Sequence, residues 1–307
     1  MLKSNYYLII LLIFFQSCII ENSSKQFITV LGTVQDAGYP QIGCLKDCCN
    51  KLFNKKNNNY VTSIGLSDIE SNQRFLFEAT PDMPAQMKII NENFSKDNII
   101  DGILLTHAHI GHYSGLMYLG REAYGGSKVP VFGMPRMLNF LSTNGPWSQL
   151  VSLNNIELRT LNNNQPIKVT DNLTIIPLLV PHRDEFSETV GFKIIGPEKS
   201  ALFIPDINKW ELWDKDIVKE VKSVDYAFLD ATFFQDGEIE RPMSEIPHPF
   251  VKETMDLFNN ESKAVKNKIY FIHFNHTNIA LENNNSVIDS IKKLGYNFSK
   301  FGDKLSL

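Results

Sequence analysis

Short apolar runs alternate along this chain with polar turns, at two different spacings. Runs that are continuous, or that alternate every second residue, predict strands at Phe27–Thr33, Thr62–Ser67, Arg74–Ala79, Gly102–Thr106, Val129–Phe132, Ile156–Leu161, Leu173–Leu179, Val190–Ile195, Ala201–Ile204, Tyr226–Leu229 and Ile269–Ile272. Helical spacing predicts helices at Met83–Asn93, Tyr113–Tyr124, Arg136–Thr143, Pro249–Asn259 and Ser286–Leu294. Asparagine runs at 57–59, 162–164 and 283–285 read as surface loops. No internal repeat and no Pro/Gly-rich linker divides the chain. The pattern predicts an α/β fold with more than one sheet. Periodicity alone leaves a doubly wound sheet and a sandwich both open.

The N-terminus carries a different kind of pattern. Met1-Leu2-Lys3 precedes an apolar run from Tyr6 to Phe15, a basic n-region and an h-region of about ten residues, as in a secretory signal. The run is too short to span a bilayer, which takes roughly 20 apolar residues. Phe15-Gln16-Ser17-Cys18 resembles a bacterial lipobox. That resemblance implies removal of residues 1–17, lipidation of Cys18 and a membrane-anchored lipoprotein on the periplasmic or cell-surface side. A plain signal peptide or an uncleaved anchor are the simpler alternatives. Residues 18–26 then form a tether, and 27–307 a single domain. With 307 residues, 43% hydrophobic, the chain can build a core. A net charge of −4 gives no electrostatic footprint for nucleic acid, and none is expected as a partner.

Histidine placement changes the picture most. The strand Gly102–Thr106 runs into His107-Ala108-His109-Ile110-Gly111-His112 and then into a helical pattern. Three imidazoles at such a turn can converge on one point. Imidazole suits zinc, and a catalytic zinc commonly takes three protein ligands and leaves one position for water. Iron or manganese is compatible with the same donors. A lone histidine would more simply be a core or capping residue, but His-x-His-x-x-His after an apolar strand reads as metal-binding.

This segment resembles the His-x-His-x-Asp-His signature of the metallo-β-lactamase superfamily. The resemblance implies an αββα sandwich, two mixed sheets with helices on the outer faces and metals at one edge. Further candidates stand at strand ends: Asp82 in Ala79-Thr80-Pro81-Asp82, His182 after Leu178-Leu179-Val180-Pro181, Asp206 after Leu202-Phe203-Ile204-Pro205, and His273 after Ile269–Ile272. By resemblance, His107, His109 and His182 hold a first metal. His112, Asp206 and His273 hold a second, with Asp206 able to bridge. Asp82 supports a ligand imidazole. Gly111 departs from the pattern, standing where the family has a ligating aspartate. The second site is therefore expected to be weak, and Gly111→Asp is expected to raise metal content.

Cys44, Cys48 and Cys49 cluster just after the first strand. Three thiols are odd for disulfides, and a vicinal Cys48–Cys49 bridge is strained. A Cys₃His structural zinc with His276 resolves the count. One disulfide plus a free thiol is the alternative that an oxidising compartment favours. A similar cysteine cluster occurs in the phosphonate-pathway cyclic phosphodiesterases of the superfamily. Gly38-Tyr39-Pro40-Gln41, Pro81-Asp82-Met83-Pro84-Ala85-Gln86, Asp230-Ala231-Thr232-Phe233 and His273-Phe274-Asn275-His276-Thr277-Asn278 resemble the pyrroloquinoline quinone biosynthesis B branch. That branch has acidic residues at His107 and His109, where this chain is closer to the zinc hydrolases. Met243-Ser244-Glu245-Ile246-Pro247-His248-Pro249 is similar to it too. By analogy with the tRNA 3′-processing branch, His248, with Glu245, would handle the leaving-group proton. A helix-start role is the bland reading of His248.

The expected activity is metal-assisted, zinc-first hydrolysis of a phosphodiester, ester, lactone or amide in a small molecule. Arg183, Asp184, Arg121 and Arg136 flank the histidines. An arginine at the mouth suits an anionic substrate, although surface solvation is the simpler role for each. Two other classes stay open: an oxygen-dependent non-haem iron enzyme related to quinone-cofactor biosynthesis, and a non-catalytic metal- or ligand-binding surface lipoprotein.

Overall fold

The computed structural model describes residues 24–55, 57–95, 98–240 and 242–307. The expected signal segment 1–17 and the lipidation candidate Cys18 lie outside the described residues. Strands β1 (Gln26–Gly32), β2 (Ser63–Asp68), β3 (Gln73–Phe77), β4 (Gly102–Leu104), β5 (Val129–Gly133) and β6 (Ile156–Thr160) form one sheet in that spatial order. Strands β7 (Ile167–Lys168), β8 (Thr174–Leu179), β9 (Val190–Ile195), β10 (Ser200–Ile204), β11 (Tyr226–Asp230), β12 (Ile269–Ile272) and β13 (Asn297–Phe298) form the other. β14 (Lys304–Ser306) pairs antiparallel with β1 and closes that edge of the first sheet. Among the described residues no helix is long and apolar enough to cross a membrane.

Side-chain alternation along the strands sorts the core into layers. Phe75, Phe77, Ile28 and Ile64 from the first sheet meet Phe192, Phe203, Phe228 and Ile272 from the second. Phe77 packs edge-on against Phe192 and Phe203, with ring centroids 5.2 and 5.9 Å apart. Fully burying one such ring is worth roughly 1.5–3 kcal/mol relative to exposing it. The intervening residues point outward. Leu76 and Ile103 pack on Met83, Met87 and Leu141 of the helices at 83–90 and 135–143. Leu202, Leu229 and Phe271 pack on Val221, Val251 and Ile288 of the helices at 217–222, 251–257 and 286–293. The layers therefore run helix, sheet, sheet, helix, which is the expected αββα sandwich.

The one expected helix that changes character is Tyr113–Tyr124. It becomes a short helix at Ile110–Tyr113 and a 3₁₀ turn at Ser114–Leu119. Gly115 presses on the backbone of the preceding strand end, where an added Cβ would lie 2.1 Å from the Thr80 carbonyl oxygen. Gly115 N–H also donates to Ala79 O at 2.8 Å.

Asp68 ties the two sheets together at the edge of this core. Its buried carboxylate accepts hydrogen bonds from Gln26 Nε2 (2.8 Å), Thr170 Oγ1 (2.7 Å) and Asn172 Nδ2 (3.1 Å). Burial alone would raise its pKa. The hydrogen bonds from Thr170 and Gln26 overcome that and hold it below the ordinary value of 3.8. A carboxyl depressed in the fold stabilises above its unfolded pKa, and that contribution is lost as pH falls through the folded value. Asp68→Asn is expected to unfold at lower denaturant than the parent at pH 7, with the gap closing below about pH 4. Parallel urea curves at both pH values check this.

Candidate metal centre

Strand direction brings the candidate ligands to one end of the sandwich. β3, β4 and β5 run parallel, and β1 is antiparallel to β2, which is antiparallel to β3. β10, β11 and β12 run parallel, and β8 and β9 reverse direction in turn. The C-terminal ends of β1, β4, β8, β10, β11 and β12 thus carry Asp36, His107–His112, His182, Asp206, Asp230 and His273 respectively.

His107, His109, His182 and Asp206 form one cluster, with one donor atom from each within 4.8 Å of the others. His107 Nε2 is 2.8 Å from His109 Nδ1 and 3.3 Å from Asp206 Oδ2. His182 Nε2 is 3.3 Å from His109 Nδ1 and 3.2 Å from Asp206 Oδ1. A tetrahedron with zinc–ligand bonds of 2.0–2.1 Å has edges of roughly 3.4 Å. Asp206 Oδ1 is buried and accepts no hydrogen bond of good geometry. A buried acceptor of that kind amid imidazole nitrogens is the signature of a cation site.

A second cluster shares Asp206 and adds Asp36, His112 and His273. Asp36 Oδ1 lies 3.0 Å from His112 Nε2 and 3.3 Å from His273 Nε2. His112 Nε2 is 3.8 Å from Asp206 Oδ2. Burial disfavours the imidazolium of His112, yet the Asp36 and Glu78 carboxylates prevail and push its pKa well above the usual value of 6.5. Burial would raise the Asp206 pKa, but the His182 and His248 charges hold it well below 3.8. Both clusters are therefore arranged around negative charge shared among imidazoles.

A ring of other groups fixes these rings in place. Thr106 Oγ1 is 2.8 Å from His107 Nδ1. Asn208 Oδ1 is 3.2 Å from His182 Nδ1. Glu78 Oε1 is 3.2 Å from His112 Nδ1, and its other oxygen accepts the Thr106 N–H. Thr232 donates to Asp230 Oδ1 at 2.7 Å and stands 2.9 Å from His273 Nδ1. Glu78 and His273 both hold positive φ, +74° and +68°. Such strain persists only where the surroundings over-determine it, and it concentrates at functional sites.

One expected role is corrected. Asp82 does not support an imidazole. Its Oδ2 accepts the Val61 N–H at 2.8 Å, and the carboxylate behind His112 is Glu78, four residues earlier. His248 Nδ1 lies 2.9 Å from Asp230 Oδ2 and 3.1 Å from Asp206 Oδ1. Glu245 shares a pocket wall with His248. Burial opposes charge on His248, but Asp230 and Asp206 push its pKa up to about 10. Arg183 lines the same pocket. Arg121 pairs with Glu122, and Arg136 binds the Asp184 carbonyl. Asp184 itself accepts from Thr189.

Cys44, Cys48, Cys49 and His276 form a separate cluster, and all three cysteines are free. Cys48 Sγ is 4.0 Å from both Cys44 Sγ and Cys49 Sγ. A disulfide needs about 2.05 Å, whereas two thiolates on one tetrahedral zinc stand roughly 3.8 Å apart. Without a cation, burial and then the neighbouring sulfurs push the Cys49 thiol up to about 12. The donor set fits zinc, and the alternative of one disulfide plus a free thiol is not the arrangement seen.

Residues 73–274, more than half of the chain, match the family model described as the beta-lactamase superfamily domain, and the chain belongs to this superfamily. Among curated proteins it is similar to coenzyme PQQ synthesis protein B of Cupriavidus necator, 23% identical over 285 residues, spanning 83% of this chain and 90% of the relative. The protein of the same description from Methylorubrum extorquens is 21% identical over 309 residues, 91% of this chain and 99% of its own. Among solved structures, Zn²⁺-bound PqqB from Methylobacterium extorquens covers 92% of this chain and 100% of its own, with a TM-score of 0.74 and 20% identity. A diphosphatase from the PhnP family covers 92% and 98%, with a TM-score of 0.65 and 20% identity. At these identities the likeness to solved structures establishes the fold.

Proposed function

We propose that this chain is a metal-dependent hydrolase, with zinc as its metal, acting on a small phosphodiester or related ester. One observation carries the reading: two donor clusters meet at a shared buried carboxylate, Asp206, which stands 3.1 Å from His248 on the wall of a cleft. A divalent cation bound there would supply an activated water and Lewis-acid polarisation of the bond to be cut. His107, His109 and His182 would hold one cation, and His112, His273 and Asp206 would help to hold a neighbour. Glu78, Thr106 and Asn208 keep the imidazoles in their ligating tautomers. His248, backed by Asp230 at 2.9 Å, donates a proton to the leaving oxygen.

The cleft beside His248 has a volume of about 430 Å³ and is lined by Gln35, Gln41, Arg183, Phe233 and Asn275 among others. Arg183 and His248 on this lining, beside Glu245, suit a small anionic group such as a phosphodiester. The superfamily neighbours include a PhnP-family diphosphatase and the human short-form tRNase Z. Export and lipidation at Cys18 belong to the same proposal and rest on the lipobox resemblance.

Activity screens on bis(p-nitrophenyl) phosphate, aryl esters and lactones, with and without added zinc, test the reading. Chelator-sensitive phosphodiester cleavage is the expected result. Iron as the native metal with oxygen consumption, or folded protein without metal, would overturn it. His248→Ala is expected to lower kcat by about 100-fold or more on an alkyl leaving group. It should have much less effect on p-nitrophenolate, which needs no proton. Equal losses on both would remove the proton-donor role.

A further inference from the structure

Gly111 and Asp36 contend for one volume. A Cβ built on Gly111 would lie 2.5 Å from Asp36 Cα and 2.7 Å from both its Cβ and Cγ. The superfamily pattern puts a ligating aspartate at 111, and this chain puts a carboxylate into the same space from a different strand end. Asp36 Oδ1 faces His112 Nε2 and His273 Nε2 at 3.0 and 3.3 Å. We infer that Asp36 is the relocated carboxylate ligand of the second metal, and that the cysteine cluster positions it. This rests on the metal-hydrolase reading above. It reverses the expectation that glycine at 111 leaves the second site short of a ligand.

The positioning argument comes from chain connectivity. Two short segments supply both centres. Residues 33–49 contribute Asp36 to the histidine centre and Cys44, Cys48 and Cys49 to the cysteine cluster. Residues 273–276 contribute His273 to one and His276 to the other. The segments are stitched together next to Asp36, where Gln35 N–H donates to Phe274 O at 2.9 Å and Phe274 N–H donates to Thr33 O at 2.8 Å. They meet again where His276 stands in one cluster with Cys44, Cys48 and Cys49. Within the first segment, Gln41 N–H points at Cys49 Sγ at 3.3 Å, and Cys44 N–H donates to Gln41 O at 3.2 Å. A cation in the cysteine cluster therefore cross-links the two segments that present Asp36 and His273. His107, His109 and His182 lie on neither segment, so the first metal is independent of that cross-link.

Gly111 has a positive requirement under this account. Any side chain there displaces Asp36, so Gly111→Ala and Gly111→Asp lower metal content although neither removes a ligand. Backbone contact at 2.5 Å cannot be relieved by rotating a side chain, so the loop itself must move.

Metal binding tests the inference without reference to activity. Full-length protein, Asp36→Ala, Asp36→Asn, Gly111→Ala and Cys48→Ser are loaded with Co²⁺ and titrated against a chromophoric chelator. Thiolate-to-cobalt absorption marks the cysteine centre separately from the histidine centres. The parent is expected to hold three ions. Both Asp36 variants and Gly111→Ala should hold two, with the thiolate band intact and the second-site Kd raised by roughly 100-fold. Cys48→Ser should alter the thiolate band and raise the second-site Kd by roughly 10-fold. Three ions of parental affinity in both Asp36 variants would overturn the ligand assignment. Unchanged second-site affinity in Cys48→Ser would overturn the positioning role. A parent that holds cobalt only in the thiolate centre would instead take down the metal-hydrolase reading on which this rests. Asp36→Asn keeps side-chain volume, so the ligand test survives if the alanine variant does not fold.

Discussion

Asp206→Ala is expected to leave the protein without either histidine-bound metal and to abolish turnover. Asp206 is buried between both donor clusters, with His107, His182 and His248 within 3.3 Å and His112 and His109 within 3.9 Å. Removing it leaves five imidazoles facing one another with no central counter-charge. Outer partners of metal ligands already cost 10–100-fold when mutated, so loss of a shared ligand should exceed about 100-fold in kcat/KM. Elemental analysis of the variant should find only the cysteine-bound metal. Retention of all metals would show that the two clusters do not depend on a common carboxylate. Asp206→Asn separates shape from charge. It preserves the volume and removes the charge, and it should behave like the alanine variant.

The second large effect is on stability. Cys48→Ser removes the sulfur that stands 4.0 Å from both other thiols. Structural zinc contributes its binding free energy to folding. Here the packed sandwich folds around three large apolar clusters as well, so only part of that energy is at stake. A loss of about 3 kcal/mol would lower Tm by roughly 6–12 °C in a domain of this size. Differential scanning calorimetry of the parent with and without chelator should reproduce much of the shift. A melting curve unaltered by both chelator and substitution would rule out a structural metal.

What could be read from the sequence was the local part. His107, His109 and His112 share one turn and announce themselves by spacing, whereas His182, Asp206 and His273 follow apolar strands where the superfamily resemblance implies further ligands. Asp36 obeys the same rule, four residues past β1, but nothing adjacent advertised it. Its significance comes from Gly111, a neighbour only in space. Asp82 misled because Glu78 and Asp82 leave the same strand end and only the folded chain decides which reaches His112. The strands at 167–168, 297–298 and 304–306 are too short to show a period. The helix at 217–222 was not predicted; in the folded chain the Asp216 carboxylate caps it by accepting the Val218 and Lys219 N–H groups. Its few turns gave too weak a pattern to stand alone.

The central claim is a hydrolase dependent on metals held by histidines around Asp206. The most direct measurement is metal content together with phosphodiester turnover, on protein beginning at residue 19 and purified without added metal. The account predicts three metal ions per chain, zinc among them. Turnover should vanish when the histidine-bound ions are stripped and return when zinc is restored. A folded protein carrying no metal beyond the cysteine centre, or one that turns over equally well after stripping, would contradict it.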